Sequence, residues 1–197
     1  ALAAGLRPAK AAELRVHLIP ALAHRVLPLA LERMRARGAA CDVAVHTHHS
    51  SEVVTAVALL EADIGFTFDA PRHANVAELT LATTELQCVV PRKGAPRARS
   101  VAWHDLAGRP VIRLDSRDPL GQVVQQAALE SGVAFAGGLS VQTYHAALAM
   151  AQQGLGWAIV DAVTAASADR DKVRVLTIAP AIRVPVKVML PAGGTSA

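Results

Sequence analysis

Short segments that follow apolar runs are the parts of this sequence best suited to bind a small molecule. Hydroxyl, imidazole or carboxyl groups occur in four of the five segments. If a helix begins at each one, its free backbone N–H groups and the positive end of its dipole favour a carboxylate or another anion. In chain order the segments are Ile19-Pro20-Ala21-Leu22, Thr47-His48-His49-Ser50-Ser51, Asp115-Ser116-Arg117-Asp118, Gln142-Thr143-Tyr144-His145 and Val160-Asp161-Ala162.

The predicted ligand-binding residues come from all five segments. The alternative is that the serine, threonine and aspartate side chains only cap helices, as they do in most α/β proteins, and the predicted N-caps are Ser50 or Ser51, Asp118, Thr143 and Asp161. For any single residue capping alone is favoured, whereas for the whole set we expect some contact with a ligand. The predicted set is Pro20, Ala21, Thr47, His48, His49, Ser50, Ser51, Asp115, Ser116, Arg117, Gln142, Thr143, Tyr144 and Asp161.

The histidine-rich stretch around His46, His48 and His49 suggests a metal site. Alternate residues of a strand lie on one face, and imidazoles bind zinc. No third ligand follows at a convincing spacing, and both cysteines, Cys41 and Cys88, lie inside apolar runs. We therefore interpret these histidines as solvated or hydrogen-bonded loop residues, and predict neither a metal nor a cofactor.

Catalytic motifs are the next class to consider. His49 precedes Ser50 and Ser51, but adjacent residues rarely reach the geometry of a nucleophile and its base, and no Gly-x-Ser-x-Gly elbow is present. Gly154-Leu155-Gly156 lacks the third glycine of a dinucleotide fingerprint and precedes a predicted strand instead of following one. The sequence therefore predicts a binding protein, not an enzyme.

The composition is that of a globular chain. Hydrophobic residues make up 52% and charged residues 18% of the 197 residues, which suits one large domain or two small ones. Aromatic residues are only 3%, which disfavours a single-strand nucleic-acid binder, and no apolar run approaches the roughly 20 residues of a membrane helix. The two cysteines are best interpreted as free buried thiols of a cytosolic protein, although a disulfide stays open on number alone.

Strands and helices are predicted to alternate, which indicates mostly parallel sheets with right-handed crossovers. An apolar run ends at Val89-Val90-Pro91-Arg92, and Leu106-Ala107-Gly108-Arg109-Pro110 leads into another, so the chain passes from a first α/β unit to a second. We expect lobe I at 14–91 and 185–197, lobe II at 92–184, and a ligand in the cleft between them. The predicted strands are 14–19, 41–47, 63–68, 86–91, 110–114, 139–142, 157–160, 173–178 and 184–190.

In the order and spacing of its motifs, the chain resembles the effector-binding domain of LysR-type transcriptional regulators over nearly its whole length. Within that family, 48–51 and 159–166 are most similar to the branch that senses opines and basic amino acids such as lysine. The segments that carry the resemblance are Leu14-Arg15-Val16, Leu27-Pro28, Leu60-Glu61-Ala62-Asp63-Ile64-Gly65-Phe66, Val89-Val90-Pro91-Arg92, Asp105-Leu106-Ala107-Gly108-Arg109-Pro110 and Gly154-Leu155-Gly156-Trp157-Ala158-Ile159-Val160.

The resemblance implies a type II periplasmic-binding-protein-like α/β fold, with two Rossmann-like lobes, a cleft and two crossover strands. It implies a small effector, carboxylate or amino-acid-like, in that cleft. It also implies that 1–13 ends a linker from an N-terminal winged helix-turn-helix that binds DNA. Such domains form antiparallel homodimers through helices such as those after Ala21 and Leu120, assemble into homotetramers and act in the cytoplasm, without a membrane.

The sequence departs from the family pattern at several positions. Ile19-Pro20-Ala21 lacks the hydroxyl that many relatives carry, Gly94-Ala95-Pro96-Arg97 replaces the usual His-Pro-Leu, and Ala162 stands where the branch commonly has proline. The family's usual C-terminal helix is not evident after Pro191. Two alternatives share the fold, namely the solute-binding protein of a transporter and an enzyme such as a tetrapyrrole-forming deaminase.

Overall fold

The computed structural model describes residues 13–39, 41–116 and 118–193. Its helices are α1 (Pro20–Ala23), α2 (Val26–Ala36), α3 (Ser50–Ala58), α4 (Pro119–Glu130), α5 (Tyr144–Gln152) and α6 (Ala162–Ala165), with a turn of 3-10 helix at Trp103–Leu106. Its strands are β1 (Leu14–Leu18), β2 (Val43–Thr47), β3 (Ile64–Thr67), β4 (Val76–Pro91), β5 (Ser100–Ala102), β6 (Val111–Leu114), β7 (Ser140–Val141), β8 (Trp157–Asp161), β9 (Val173–Ala179) and β10 (Arg183–Pro191).

Lobe I is built on a sheet whose strand order is β2-β1-β3-β10-β4. β1 pairs in parallel with β2 and β3, because helices connect these strands as crossovers. β10 runs antiparallel to both β3 and β4. The ion pairs of Lys187 Nζ with Asp69 Oδ1 at 3.0 Å and with Glu78 Oε2 at 3.3 Å attach β10 to its neighbours.

Lobe II continues the same hydrogen-bonded sheet in the order β5-β9-β4-β8-β6-β7. β6, β7 and β8 are mutually parallel, and β5 is parallel to β9. β4 runs antiparallel to both β8 and β9. The predicted parallel pairings are therefore present in both lobes, while the strands that connect the lobes pair antiparallel.

β4 is the strand that links the two lobes. Its first part, Val76–Glu85, pairs with β10, whereas Leu86–Pro91 pairs with β8 and β9. The sequence predicted only 86–91, because the earlier part exposes Leu79 and Leu81 and so lacks a buried apolar run. The exact division of the chain into lobes at 91/92 and 184/185 remains a prediction.

Local end signals explain most of the helix boundaries. Asp118 caps α4 by accepting the N–H of Leu120 at 2.9 Å, Thr143 caps α5 through Ala146, and Asp161 caps α6 through Thr164. The predicted cap of α3 was wrong, since His49 is its N-cap and Ser50 is already helical. Ser50 and Ser51 are therefore the first two residues of α3.

The two cysteines differ in environment. Both are free, but Cys41 is exposed because β2 begins only at Val43, so the prediction of two buried thiols was wrong for Cys41. Burial raises the pKa of the Cys88 thiol to about 12, which keeps it protonated and unreactive. No helix within the described residues is long and apolar enough to cross a bilayer.

One apolar core runs through both lobes. It includes Leu18 and Phe68 from lobe I and Val160 and Leu176 from lobe II, each 2% exposed or less. Complete burial of such a side chain contributes about 1.5–3 kcal/mol. The lobes are thus in contact through packed side chains, which positions the groups at their facing edges.

Candidate functional site

The predicted segments of lobe I lie at one edge of its sheet. β1 and β2 are parallel, so the residues that follow them, 19–22 and 47–51, emerge at the same end. The His48 N–H donates to the Leu18 carbonyl at 3.0 Å, which fixes the second segment beside the first.

The three predicted segments of lobe II also share one edge. They follow β6, β7 and β8, and both β7 and β8 pair in parallel with β6. The Asp115 N–H donates to the Val141 carbonyl at 2.8 Å and so joins the first two segments. The ends of these strands therefore bring Asp118, Tyr144 and Asp161 to the same side of the lobe.

Helix α1 brings the two edges together. It packs against α5 and α6 of lobe II, and Ala21 within it is fully buried. At the end of α1 the His24 ring stacks on the His145 ring, with 3.9 Å between centroids. Burial, and secondarily the neighbouring His24, lowers the pKa of His145, so the neutral imidazole is favoured in this contact.

Tyr144 connects the first turns of α4 and α5. Its hydroxyl donates to Asp118 Oδ1, the same oxygen that caps α4. Its ring meets Phe68 of lobe I edge to face, with 6.0 Å between centroids. Burial raises the pKa of Tyr144 well above its ordinary value, and the charges of Asp118 and Asp161 raise it further.

Asp161 is the most unusual group at this edge. Its side chain is fully buried, and Oδ1 accepts the Thr164 N–H at 2.9 Å. Among the described residues, neither Oδ2 nor the buried Thr164 hydroxyl makes a hydrogen bond of standard geometry, although this hydroxyl is close enough to lower the pKa of Asp161. Burial raises the pKa of Asp161 even though nearby hydrogen-bond donors at Val163 and Thr164 act in the opposite direction. A buried carboxylate oxygen without a donor can accept a hydrogen bond from a ligand.

The first turn of α3 lies at the same edge of lobe I as the segment 19–22 and is the candidate lobe I side of the site. Ser50 is buried, His49 and His48 are half-buried, and Thr47 and Ser51 are exposed. Glu52 Oε2 accepts the His49 N–H at 2.9 Å, so one backbone donor at this helix end is already occupied. The remaining N–H groups of the first turn lie at the positive end of the helix dipole.

Some predicted residues are not brought into this arrangement. Gln142 and Ser116 are exposed, and Arg117 lies outside the described residues. Ser116 instead borders a cavity of about 360 Å³ between α4 and the sheet of lobe II, which Arg113 and Phe135 also line. The structure gives Thr143 a capping role, as the alternative interpretation expected.

Sequence reasoning missed several residues that the fold adds. His24, Phe68 and Thr164 lie at or near the facing edges, but no local pattern marks them. His17 was also missed, because the sequence offers no third ligand at a convincing spacing after His48 and His17 lies before both histidines. His17 is paired with His46 in the register of β1 and β2, which only the strand pairing reveals.

Comparison with known proteins identifies the family. The family model of the LysR substrate binding domain matches residues 9–197. The chain belongs to this family. This match favours the LysR interpretation of the chain over the solute-binding protein of a transporter.

Individual relatives agree with this assignment. The chain is 25% identical over 179 residues to the HTH-type transcriptional regulator DgcR of a Pseudoalteromonas species, and the match covers 90% of the chain and 62% of that relative. The regulatory domain of CcmR from Synechocystis PCC6803, in complex with 2-PG, superimposes with a TM-score of 0.80 at 16% identity, covering 94% of this chain and 90% of that one. Full-length CbnR in complex with its target DNA gives a TM-score of 0.77 at 21% identity, covering 92% and 62%. These structural similarities confirm the predicted two-lobed, periplasmic-binding-protein-like fold.

Proposed function

We propose that this LysR substrate-binding domain senses a small effector between its two lobes and transmits the binding event to a DNA-binding domain. The observation that carries the proposal is the buried Asp161, whose Oδ2 makes no hydrogen bond of standard geometry among the described residues, at the edge of lobe II that faces lobe I. A buried carboxylate costs stability unless it is paired. A ligand that pairs with it would recover that free energy on binding.

The charges at the two edges favour an effector with the character of an amino acid. Asp161 suits a cationic ammonium group, because charge-assisted hydrogen bonds are the strong ones. The first turn of α3, with Ser50 and Ser51, suits a carboxylate. This combination agrees with the predicted amino-acid-like effector, and the opine- and lysine-sensing branch remains a proposal within it. The CcmR regulatory domain, which is similar in fold, is in complex with 2-PG, and this supports a small-molecule effector for the present domain.

The exposed helices support assembly into a homodimer or homotetramer. Helix α2 has no buried residue and exposes Val26 and Leu29, and the edge strand β2 exposes Val45. Helix α4 exposes Val123 and Leu129 on lobe II. In an antiparallel pair the α2 surface of one copy would cover the α4 surface of the other, as two identical contacts.

DNA contact is proposed only through an N-terminal helix-turn-helix outside this chain. The chain spans 62% of the length of DgcR and 62% of that of CbnR, whose structure contains its target DNA. We propose a cytoplasmic regulator whose effector shifts the assembly between two states, which requires different affinity for each. We propose no catalytic role.

A thermal-shift screen tests the sensing role. The panel contains amino acids, opine-type conjugates and simple aromatic or aliphatic carboxylates. A ligand that binds only the folded state raises Tm as its concentration rises. Stabilisation by the amino-acid classes supports the proposal. Stabilisation by simple carboxylates alone would overturn the proposal of an amino-acid-like effector. No stabilisation by any ligand of the panel would argue against sensing within these chemical classes.

A further inference from the structure

Three histidines meet on the side of lobe I that α3 covers. His17 lies in β1 and is the direct register partner of His46 in β2. His48 is two residues beyond His46, so it emerges on the same face of the sheet. The His17 ring centroid is 4.7 Å from that of His46 and 5.0 Å from that of His48, and the last two are 6.2 Å apart.

The imidazole nitrogens are close enough to share one ion. One ligand atom from each histidine lies within 4.8 Å of the others. Two nitrogens on a tetrahedral zinc ion, each about 2.0–2.1 Å from the metal, lie about 3.4 Å apart. Small rotations of the side chains of His46 and His48 close this gap, because these residues are exposed and half-buried, whereas His17 is 7% exposed.

The buried member of the cluster has an unsatisfied atom. Among the described residues, His17 Nδ1 is buried and has no hydrogen-bond partner. β1 lies between β2 and β3, so the backbone that carries His17 is held on both sides. This arrangement provides one fixed ligand, while the two histidines of the edge strand can adjust to the ion.

The space beside the cluster is open and acidic. A cavity of about 310 Å³ is lined by His17 and His48 together with Glu52 and Glu61. The two carboxylates lower the cost of bringing a cation to this position, and a water molecule can occupy a fourth coordination position. The chemistry of the set, three imidazoles and an oxygen, suits late divalent transition metals and not calcium or magnesium.

We propose that His17, His46 and His48 bind a divalent transition-metal ion of the zinc type on lobe I. The site does not include the buried lobe II carboxylate, but it shares His48 with the lobe I side of the candidate effector site, so metal binding is measured without effector. Because His48 immediately precedes the first turn of α3, a bound ion would hold that turn against β1. Metal binding would thereby stabilise lobe I even in the absence of an effector.

Calorimetric titration of the full chain with Zn²⁺, after dialysis against a chelator, tests the proposal. The wild type is expected to bind one ion per chain. His46→Gln and His48→Gln should each weaken the affinity for Zn²⁺ by a factor on the order of 10 or more. Loss of a residue that only hydrogen-bonds to a metal ligand already has an effect of this size. Both replacements lie outside the buried core, so the fold is retained, which circular dichroism verifies.

His104→Gln is the matched control. His104 is 80% exposed, lies in lobe II and contacts Asp105 and not the cluster. The control should bind Zn²⁺ like the wild type, with the same rise in Tm. Absence of stoichiometric binding by the wild type would overturn the site. So would equal affinity in wild type, His46→Gln and His48→Gln.

Discussion

The Tyr144 hydroxyl donates a hydrogen bond to the same Asp118 oxygen that caps helix α4. One aspartate thus fixes the first turn of its own helix and the first residue of α5. Both residues are at least nine-tenths buried at the edge of lobe II that faces lobe I. This shared contact fixes the first turns of α4 and α5 relative to each other, on the same side of lobe II as Asp161.

Tyr144→Phe removes that hydroxyl and keeps the ring against Phe68. We expect a loss of about 1.5–3 kcal/mol in the free energy of unfolding, the usual contribution of a hydrogen bond to a charged group. Urea denaturation measures this loss. A variant as stable as the wild type would show that the two backbone N–H donors satisfy Asp118 without Tyr144.

Asp161→Asn should stabilise the ligand-free protein near neutral pH. Asparagine caps a helix as well as aspartate does, so the contact with Thr164 is retained. Burial raises the pKa of Asp161 in the folded protein above its unfolded value of about 3.9. The wild type therefore has its full stability at pH values below the unfolded pKa, where Asp161 is protonated in both states. It loses stability as pH rises through the folded pKa, because the buried carboxylate becomes charged. The stability difference between variant and wild type should therefore grow across that window.

The measurement is the free energy of unfolding at a series of pH values from acid to neutral. Asp171→Asn serves as control because Asp171 is exposed. A difference between Asp161→Asn and wild type that does not change with pH would contradict the desolvation of this carboxylate.

Gly121→Ala tests the close approach of α4 to the Asp115 segment. A Cβ at Gly121 would lie 2.6 Å from the Asp115 carbonyl oxygen and 3.2 Å from Leu114 Cβ. Although alanine favours helices, overpacking of this kind costs about 1–3 kcal/mol. Gly138→Ala, where a Cβ meets nothing within 4 Å, should change stability little. Equal thermal unfolding of the two variants would show that α4 shifts without strain.

Leu29→Glu tests the proposed α2 interface. Leu29 is 47% exposed on a helix with no buried residue. A charge in the centre of an apolar contact should shift the protein from dimer to monomer in light-scattering measurements. Leu155→Glu is the control, because Leu155 is 54% exposed in the turn after α5. The same molar mass for both variants and the wild type would place the interface elsewhere.

Local signals in the sequence were enough to predict most of the fold. Periodicity located β1, β3, β6 and β8, and the caps Asp118, Thr143 and Asp161 were read from residue type alone. The first part of β4 was missed because it is exposed, and its register with β10 depends on residues about 110 positions away. No local pattern encodes a pairing of that range.

The candidate site was predictable as a set of segments and not as a set of contacts. Parallel strands place the polar residues that follow them at one edge, which is why the sequence predicts that Tyr144 and Asp161 lie at the same edge of lobe II. The stacking of His24 on His145 depends on how the lobes pack, and the meeting of His17 with His46 depends on strand register. Both are properties of tertiary structure.

The central claim, that Asp161 binds the effector, is tested most directly by calorimetric titration of the best amino-acid-type ligand into wild type, Asp161→Asn and Asp171→Asn. Asp161→Asn should bind more weakly by about 1.5–3 kcal/mol, through loss of a hydrogen bond between charged groups. Asp171→Asn should bind like the wild type. Since Asp161→Asn is expected to be the more stable protein, its weaker binding cannot come from unfolding. Equal affinity in all three proteins would contradict the account.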